Sequence, residues 1–511
     1  MLEQMLNGFQ VTLQWQNLIA LFLGSLVGYA VGALPGLNPS MTIALMLPFT
    51  FTLSPLTSLI FLTSLYGAAE YGGGITSITL NVPGEAGAAP TCFDGYPLAQ
   101  KGQPAKALGI SIIASGIAGL VTTVALIVVA VPLASVALSF GPPEYFALAV
   151  FGLTVVASLA GRSVVKGLMT VTFGLLVTSI GIDPITGTPR YTFTMQFFEG
   201  IPFIAGLVGL FAISEVLMTM EEIWEKDLSA MKVSGALPTL KETLGTWGAI
   251  VRGSIIGFVI GLFPGSGKAV ASFIAYNEER RASKHPELFG TGVLEGVAAP
   301  EAANNAVVSG ALVPLLTLGI PGSAATAIMI GALTIQGLQP GPMLFVKQAP
   351  LVYGLFASLM IGNIMMTIIG LAGTQLWTQV VAVPKAIMMP IVLAVCLLAA
   401  YAESGEMFQV WVAMFFGVLG YLLRKFGFPV APIVLAMVLG PTMETNFRRS
   451  LIVSDEGLAI FFSRPISAVV LGLTLASLAY QVHREVKAWR QMAARTVELG
   501  QEVADPMEGR L

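Results

Sequence analysis

The sequence predicts an all-α polytopic integral membrane protein with about 10–12 transmembrane helices plus re-entrant hairpins, built as two repeats of inverted topology. Three observations predict this fold class. Hydrophobic residues fill 55% of the 511 positions and charged residues only 10%, whereas a soluble domain carries about 25% charged residues. Apolar runs of membrane-spanning length recur from end to end. Finally, two proline–glycine motifs of the first half return in the second half.

The spacing of the apolar runs divides the chain. We expect a first membrane half at residues 1–219, a polar connecting loop at 220–246, a second membrane half at 247–482 and a charged tail at 483–511. The tail is typical of a solvated helix on the cytoplasmic side. We expect membrane passes near 18–34, 41–66, 107–140, 145–159, 164–182, 201–218, 247–263, 292–318, 324–338, 351–381, 386–402, 411–423, 430–439 and 458–480.

Charge, cysteine and histidine content exclude several classes of function. The net charge is -3, which gives no reason to expect a nucleic-acid partner. Cys92 and Cys396 lie far apart at no metal-ligand spacing, so we expect reduced packing residues and no structural metal. His285 and His483 fall in charged stretches of loop and tail. No buried histidine is therefore expected for acid–base chemistry, and no cofactor is expected.

The internal repeat consists of two motifs. The first motif is Gly-x-x-x-Gly-x-x-Pro-Gly, which occupies residues 28–36 and returns at 257–265. A Thr-Leu-x-x-Pro-Gly motif at 79–84 returns at 317–322. Two matches in the same order and at nearly the same separation indicate a duplicated unit, with a short insertion between the motifs of the second copy.

The placement of basic residues predicts that the two copies are inverted. Basic residues follow the first motif in copy two and the second motif in copy one, whereas the equivalent stretches 48–55 and 339–345 carry no charge. Basic loops favour the cytoplasm, so equivalent loops of the two copies would lie on opposite sides of the membrane. The basic residues are Arg280, Arg281, Lys284, Lys101 and Lys106.

Each Pro-Gly pair predicts a broken helix inside the membrane. Proline removes a backbone donor, glycine permits unusual torsions, and the free N–H groups of the next half-helix can hold a carboxylate. Polar neighbours, Glu85 and Thr326 among them, surround the breaks. The alternative is that glycine and proline only allow close packing or kinks. The predicted substrate-binding residues are Pro35, Gly36, Asn38, Ser40, Asn81, Pro83, Gly84, Pro264, Gly265, Ser266, Gly267, Lys268, Pro321, Gly322 and Ser323.

Intramembrane polar and charged residues suggest ion coupling. Lys268 follows the third break directly, and a lysine in a membrane implies a partner or a function; an anionic substrate is one partner, and snorkelling to the interface is the alternative. Glu301, Asn304 and Asn305 share one helical face and are predicted, with Glu70, to bind a coupling cation or proton. The asparagines could instead join helices, and Glu70 could face solvent at a helix end.

Two enzyme motifs fail. The stretch at 265–269 lacks the earlier glycine and the Ser/Thr of a phosphate-binding loop. Ser266 has no intramembrane histidine to activate it as a nucleophile. We therefore expect neither a nucleotide site nor an enzyme.

At these motifs the chain resembles the large membrane subunit of the tripartite tricarboxylate transporter family. The likeness covers nearly the whole chain up to the tail. The matching segments are GALPGLNPSMTIALMLPFT at 32–50, YGGGITSITLNVPGEAGAAPTCFDGYPLAQKG at 71–102, GLFPGSGKAVASFIAYNEER at 261–280, GVAAPEAANNAVVSGALVPLLTLGIPGSAATAIMIGAL at 296–333 and IQGLQPGPMLF at 335–345.

The resemblance implies a permease that works with a small integral-membrane subunit and a periplasmic solute-binding protein in the bacterial inner membrane. It implies uptake of citrate or other organic carboxylates, coupled to Na⁺ or H⁺ and without an ATPase subunit, and it implies that the paired motifs line the central site. The competing hypothesis is a passive anion channel or pore subunit. Polar residues concentrate at the breaks, which favours a carrier; both elevator-like and rocking movements stay open.

Overall fold

A computed structural model describes residues 2–34, 37–159, 163–221, 233, 235–263, 267–381, 383–402 and 404–504. Nearly all of these residues are helical, and the predicted all-α polytopic membrane fold is confirmed. A two-residue antiparallel pair, β1 (Gly181–Ile182) and β2 (Pro189–Arg190), is the exception among them. In this part of the chain six helices are long and apolar enough to cross a membrane, and shorter apolar helices accompany them.

The last two helices of the first half form one continuous helix, because a π-helical stretch, Val208–Ile213, joins them. The described helices are α1 (Leu2–Thr12), α2 (Trp15–Gly32), α3 (Pro39–Met46), α4 (Pro55–Leu80), α5 (Thr91–Gln100), α6 (Pro104–Ala137), α7 (Pro142–Leu159), α8 (Val164–Thr178), α9 (Phe203–Leu207) and α10 (Ser214–Glu221).

The second half follows a short helix in the connecting segment, α11 (Leu240–Gly245). The described helices after it are α12 (Trp247–Gly261), α13 (Lys268–Ala282), α14 (Leu294–Leu318), α15 (Ala324–Ile335), α16 (Pro342–Lys347), α17 (Ala349–Ala372), α18 (Thr374–Val380), α19 (Lys385–Ala402), α20 (Met407–Lys425), α21 (Ala431–Val453), α22 (Ile460–Ser463) and α23 (Pro465–Ala504).

Five predicted passes differ from the structure. The pass near 164–182 is too long, because α8 ends at Thr178 before β1, and the pass near 458–480 is divided between α22 and α23 at Arg464. The pass near 41–66 is wrong: α3 passes into a 3₁₀ turn at Leu47–Thr50, and α4 starts afresh where Ser54 accepts a hydrogen bond from the Thr57 N–H. The pass near 351–381 is divided between α17 and α18 at Gly373. The pass near 430–439 is too short, because α21 continues through Pro441 to Val453.

The tail and the cysteines add two details. Helix α23 runs without a break through position 483, where the apolar run gives way to charge, so the last membrane segment and the tail form one rod as far as Ala504. Both cysteines are free and buried, as expected for packing residues. The predicted domain limits at 219, 246 and 482 stay predictions.

Glycines bring the first two long helices of each half into backbone contact. A methyl group on Gly28 of α2 would lie 2.5 Å from the carbonyl oxygen of Leu65 on α4. One on Gly257 of α12 would lie 2.2 Å from the carbonyl oxygen of Ala303 on α14. Such close packing through small residues is the usual way that membrane helices associate. The same contact recurs at Gly24, Gly32, Gly253 and Gly261.

The two ends of the bundle each bring loops of both halves together. At one end Asp94 of α5 accepts hydrogen bonds from the N–H groups of Gly290, Gly292 and Val293, before α14. The basic loops of the two halves are therefore neighbours. At the other end the side-chain amide of Gln336, which follows α15, donates a hydrogen bond to the carbonyl of Thr50, which precedes α4. The loops at that end are the uncharged stretches of the sequence.

Candidate functional site

The second Pro-Gly break folds tightly against the helix that precedes it. Helix α4 ends at Leu80, and Asn81 closes it in the left-handed conformation with φ 56°, which asparagine tolerates better than most residues. The Gly84 N–H then donates to the Gly73 carbonyl over 3.3 Å. This path returns the chain alongside α4 and leaves Glu85 buried next to it.

The fourth break has the same shape. Helix α14 ends at Gly319, also left-handed with φ 71°. A methyl group on Gly322 would lie 2.7 Å from Ala311 Cα, so this loop also lies against its own helix. Ser323 then caps α15: its hydroxyl accepts a hydrogen bond from the Thr326 N–H, and the Thr326 hydroxyl accepts one from the Ser323 N–H.

The first and third breaks separate two further pairs of helices. Asn38 caps α3 by accepting a hydrogen bond from the Met41 N–H over 2.9 Å, and Ser40 lies half-buried in the first turn of that helix. Gly267, with φ 74°, precedes α13, so Lys268 is the first residue of that helix. The remaining predicted residues of these breaks lie outside the described residues: Pro35, Gly36, Pro264, Gly265 and Ser266.

Lys268 lies between two buried carboxylates from the other half. Its Nζ is 2.5 Å from Glu70 Oε1 and 2.7 Å from Glu70 Oε2, and it forms a second ion pair with Glu85 Oε2. Glu70 sits in the middle of α4 and is 1% exposed, which excludes the solvent-facing alternative. Buried charges need such partners. The ammonium points into the protein, so snorkelling does not describe this conformation.

Glu85 connects the lysine to α14. Its Oε1 accepts a hydrogen bond from Asn304 Nδ2 over 2.6 Å. Asn304 Oδ1 is buried and has no hydrogen-bond partner among the described residues. Gly87 permits this approach, because a methyl group there would lie 2.0 Å from Asn304 Oδ1. We call Glu70, Lys268, Glu85 and Asn304 the charge cluster.

Glu301 lies one turn before Asn304 and is held by hydroxyl groups. Thr91 Oγ1 donates to its Oε1 over 2.5 Å, and Ser111 Oγ donates to its Oε2 over 3.0 Å. Gly74 leaves room for the carboxylate, since a methyl group there would lie 3.0 Å from both carboxyl oxygens. Oxygen donors gathered round a buried carboxylate could hold a proton or a hard cation such as Na⁺.

The remaining predicted residues lie apart from the charge cluster. Asn305 faces α6 and α17, because a methyl group on Gly119 of α6 would meet both Asn305 Oδ1 and Asn363 Oδ1. Ser323 bonds to Tyr66 at 3.2 Å. Asn81 is exposed and Pro321 is buried, and no described contact joins either residue to Lys268. The structure thus unites Lys268, Glu70 and Asn304, with Glu301 adjacent.

Sequence reasoning named Glu85 only as a neighbour of the break and gave it no role. It missed Tyr66, Thr91 and Ser111 altogether. Glu85 could have been identified from the sequence, since burial of a carboxylate directly after an intramembrane Pro-Gly is as costly as burial of Lys268. Ordinary hydroxyl residues in apolar helices carry no such signal, because most bond only to their own helix.

Paired helix breaks in two halves, with ionisable side chains buried between them, are typical of one class of membrane protein, the transporters. The chain belongs to the tripartite tricarboxylate transporter TctA family, whose model matches residues 18–435. The resemblance seen in the motifs is thereby confirmed. Family membership makes the chain a multi-pass membrane subunit of a transporter.

Two similar proteins come from Agrobacterium vitis. An uncharacterised 52.8 kDa protein in the TAR-I ttuC' 3' region is 40% identical over 484 residues, which cover 94% of this chain and 96% of that protein. An uncharacterised protein in the TAR-II ttuC' 3' region is 37% identical over 234 residues, which cover 46% of this chain and 97% of that protein. No solved structure matches.

Proposed function

We propose that this chain is the permease subunit of a binding-protein-dependent tripartite system that imports small organic carboxylates by cation-coupled alternating access. The substrates would be tricarboxylates such as citrate, or related dicarboxylic and aromatic acids. One observation carries the proposal: an ammonium group, Lys268, lies at a helix break where both halves meet and is balanced by internal carboxylates. Once one of its carboxylate partners moves away, the Lys268 ammonium can bind a carboxylate group of the substrate.

The helix starts at the breaks support an anion site. Helix α13 begins at Lys268 and α15 begins after Ser323, and the free N–H groups of a helix start carry partial positive charge. Lys268 keeps 25% of its side chain exposed, so the site is not fully enclosed by the protein. Ser323 is half-buried and adds a hydroxyl donor.

We infer further that the halves are inverted repeats. The glycine contacts recur at equivalent positions once the two copies are aligned on their Pro-Gly motifs, as in Gly28–Leu65 and Gly257–Ala303. The contact of Gly74 with Glu301 and the bond of Tyr66 with Ser323 support antiparallel α4 and α14. The neighbouring basic loops at one end fit a cytoplasmic face.

Cation coupling is proposed for Glu301 with Asn304 and Glu70. Glu301 has the oxygen-rich surroundings that a proton or Na⁺ prefers, and it lies one helical turn from Asn304 of the charge cluster. The partners would be a small integral-membrane subunit and a periplasmic solute-binding protein in a bacterial inner membrane, with symport of Na⁺ or H⁺ and no ATPase. Elevator-like and rocking movements are both compatible with these contacts.

Reconstituted uptake tests the proposal. The chain and its small subunit are placed in liposomes, the binding protein is added outside, and labelled citrate, other tricarboxylates, dicarboxylates and aromatic acids are offered while Na⁺ and proton gradients are varied separately. Saturable, gradient-driven uptake that requires the binding protein is the expected result. Flux that ignores both gradients would identify a passive anion channel instead. Liposomes without the chain are the control, and absence of uptake of every acid would contradict the proposal.

A further inference from the structure

The two carboxylates that hold Lys268 differ in how easily they can leave it. Glu70 is fixed in the interior of the long helix α4. Glu85 sits on the loop after the break, in extended backbone with φ -148° and ψ 167°, directly before a single 3₁₀ turn. A side chain on a loop can move with fewer rearranged contacts than one on a packed helix. Glu85 is therefore the partner that a substrate could replace.

The repeat indicates that the helix break itself does not require these charges. When the two copies are aligned on their Pro-Gly motifs, the positions equivalent to the three charges carry uncharged side chains. Val308 corresponds to Glu70, Ser323 to Glu85 and Pro39 to Lys268. The loop at Ser323 nevertheless has the same shape as the loop at Glu85. The helix break therefore forms without a carboxylate at this position. None of the three charged residues has a charged counterpart in the other copy.

Charge balance limits what can enter. With both carboxylates ionised, Glu70, Glu85 and Lys268 carry a net negative charge before any substrate arrives, since two carboxylates face one ammonium. A substrate carboxylate that joined them would crowd three anions around one ammonium in a region of low dielectric. A carboxylate that displaced Glu85 would leave Glu85 buried and unpaired, which is strongly unfavourable. Displacement becomes acceptable only when Glu85 acquires a cation of its own.

Asn304 offers the place for that cation. Its amide nitrogen already donates to Glu85, and its buried Oδ1 has no hydrogen-bond partner among the described residues. That oxygen can accept a hydrogen bond from a protonated Glu85 or coordinate Na⁺. The other titratable groups that face Glu85 in the described structure are Glu70 and Tyr66 on α4 and Glu301 on α14.

We propose that Glu85 is an internal substitute for the substrate. It occupies Lys268 while the site is empty, a substrate carboxylate displaces it, and the freed Glu85 takes up one monovalent cation, H⁺ or Na⁺, beside Asn304. When the substrate leaves, Glu85 returns to Lys268 and gives up that cation on the side of release. This inference rests on the proposed function and assigns one coupling cation to Glu85.

The test compares Glu85→Gln with the control variant Glu144→Gln in the reconstituted complex. The probe is labelled citrate, or the acid of the panel that the wild-type complex takes up fastest. Glu85→Gln has no carboxylate to neutralise, so it should transport one cation fewer per acid. Its half-saturating acid concentration at low cation should fall about tenfold or more, because Glu85 no longer competes with the substrate for Lys268. Glu144→Gln removes a buried carboxylate that pairs with Arg464 outside the charge cluster, so it should keep the wild-type cation count.

Two further arms complete the test. Cation counts are measured at fixed pH with Na⁺ varied and at fixed Na⁺ with pH varied, which separates Na⁺ from H⁺. Counterflow exchange of labelled for unlabelled acid reports site integrity without a gradient, and Glu85→Ser copies the residue of the other half. A Glu85→Gln protein that keeps the full cation count, or that loses exchange altogether, overturns the proposal. If the wild-type complex moves no acid, the proposed function fails first and this inference falls with it.

Discussion

The loops at Glu85 and at Ser323 share a backbone and differ in chemistry. Each follows a helix that ends in a left-handed residue, Asn81 or Gly319, and each sends one side chain to the long helix of the other half. Glu85 bonds to Asn304, and Ser323 bonds to Tyr66. Asn304 and Tyr66 themselves occupy equivalent positions when the copies are aligned on their Pro-Gly motifs, so the two bonds are equivalent.

The comparison separates what the repeat builds from what function adds. Glycines, prolines and left-handed helix ends recur in both halves and determine where the helices break. Charge does not recur: Glu85 and Lys268 have Ser323 and Pro39 as counterparts. The Pro-Gly motifs and left-handed helix ends thus recur in both halves, while the charged residues of the charge cluster have no charged counterparts. In the transport cycle that we propose, these charges would give substrate and cation a single shared site.

Removal of the lysine should have the largest effect. In Lys268→Met, Glu70 and Glu85 lose their common cation, and breaking a buried ion pair costs about 3–5 kcal/mol of stability. We expect a large loss of thermal stability in detergent and at least about a hundredfold loss of uptake. The measurements are thermal unfolding followed by size-exclusion chromatography and initial uptake rates in liposomes.

Two controls sharpen this result. Lys101→Met removes an exposed lysine and should leave stability and uptake unchanged. The triple variant Lys268→Met, Glu70→Gln, Glu85→Gln removes the unpaired charges and should regain stability without regaining uptake. A Lys268→Met protein with wild-type stability and transport would mean that the ion pairs have no role, and the contrast between the two loops would lose its meaning.

Packing glycines should show the opposite pattern, equal effects in the two halves. Gly28→Ala places a methyl group 2.5 Å from the Leu65 carbonyl, and Gly257→Ala places one 2.2 Å from that of Ala303. Each should cost about 1–3 kcal/mol through overpacking. Gly472→Ala on α23 meets nothing within 4 Å and should be neutral or stabilising by about 1 kcal/mol. Unfolding of all three in one detergent gives the comparison; damage in one half only would argue against equivalent packing.

The sequence predicted what depends on backbone chemistry and missed what depends on distance. Membrane residence, the repeat motifs and the helix breaks follow from hydropathy and from proline and glycine, which act locally. Lys268 and Glu70 were recognisable because charge in an apolar run is costly. That Glu70 and Glu85 both reach Lys268 from a distant part of the chain required the folded arrangement. The split of the pass near 41–66 was missed because Pro48 and Pro55 lie within one apolar run.

The segment that joins the halves should give the smallest effect. Glu242 of α11 accepts a hydrogen bond from Lys106 at the start of α6, and also from the backbone N–H and hydroxyl of Thr239. These donors lower the pKa of Glu242 to about 2. A depressed folded pKa means that its stabilisation is complete above the unfolded value of about 4.3 and is lost as pH falls towards the folded value.

Glu242→Gln should therefore lower the unfolding temperature slightly at pH 7, and the difference from wild type should shrink steadily between about pH 4.3 and pH 2. Both side chains are partly exposed, so high salt should also reduce the difference. Lys106→Gln is the matched variant and should give a smaller pH dependence in the same direction, because Thr239 still donates hydrogen bonds to Glu242. A difference that persisted unchanged at low pH would mean that Glu242 contributes through packing, and the joining segment would then resemble the glycine-packed scaffold more than the charge cluster.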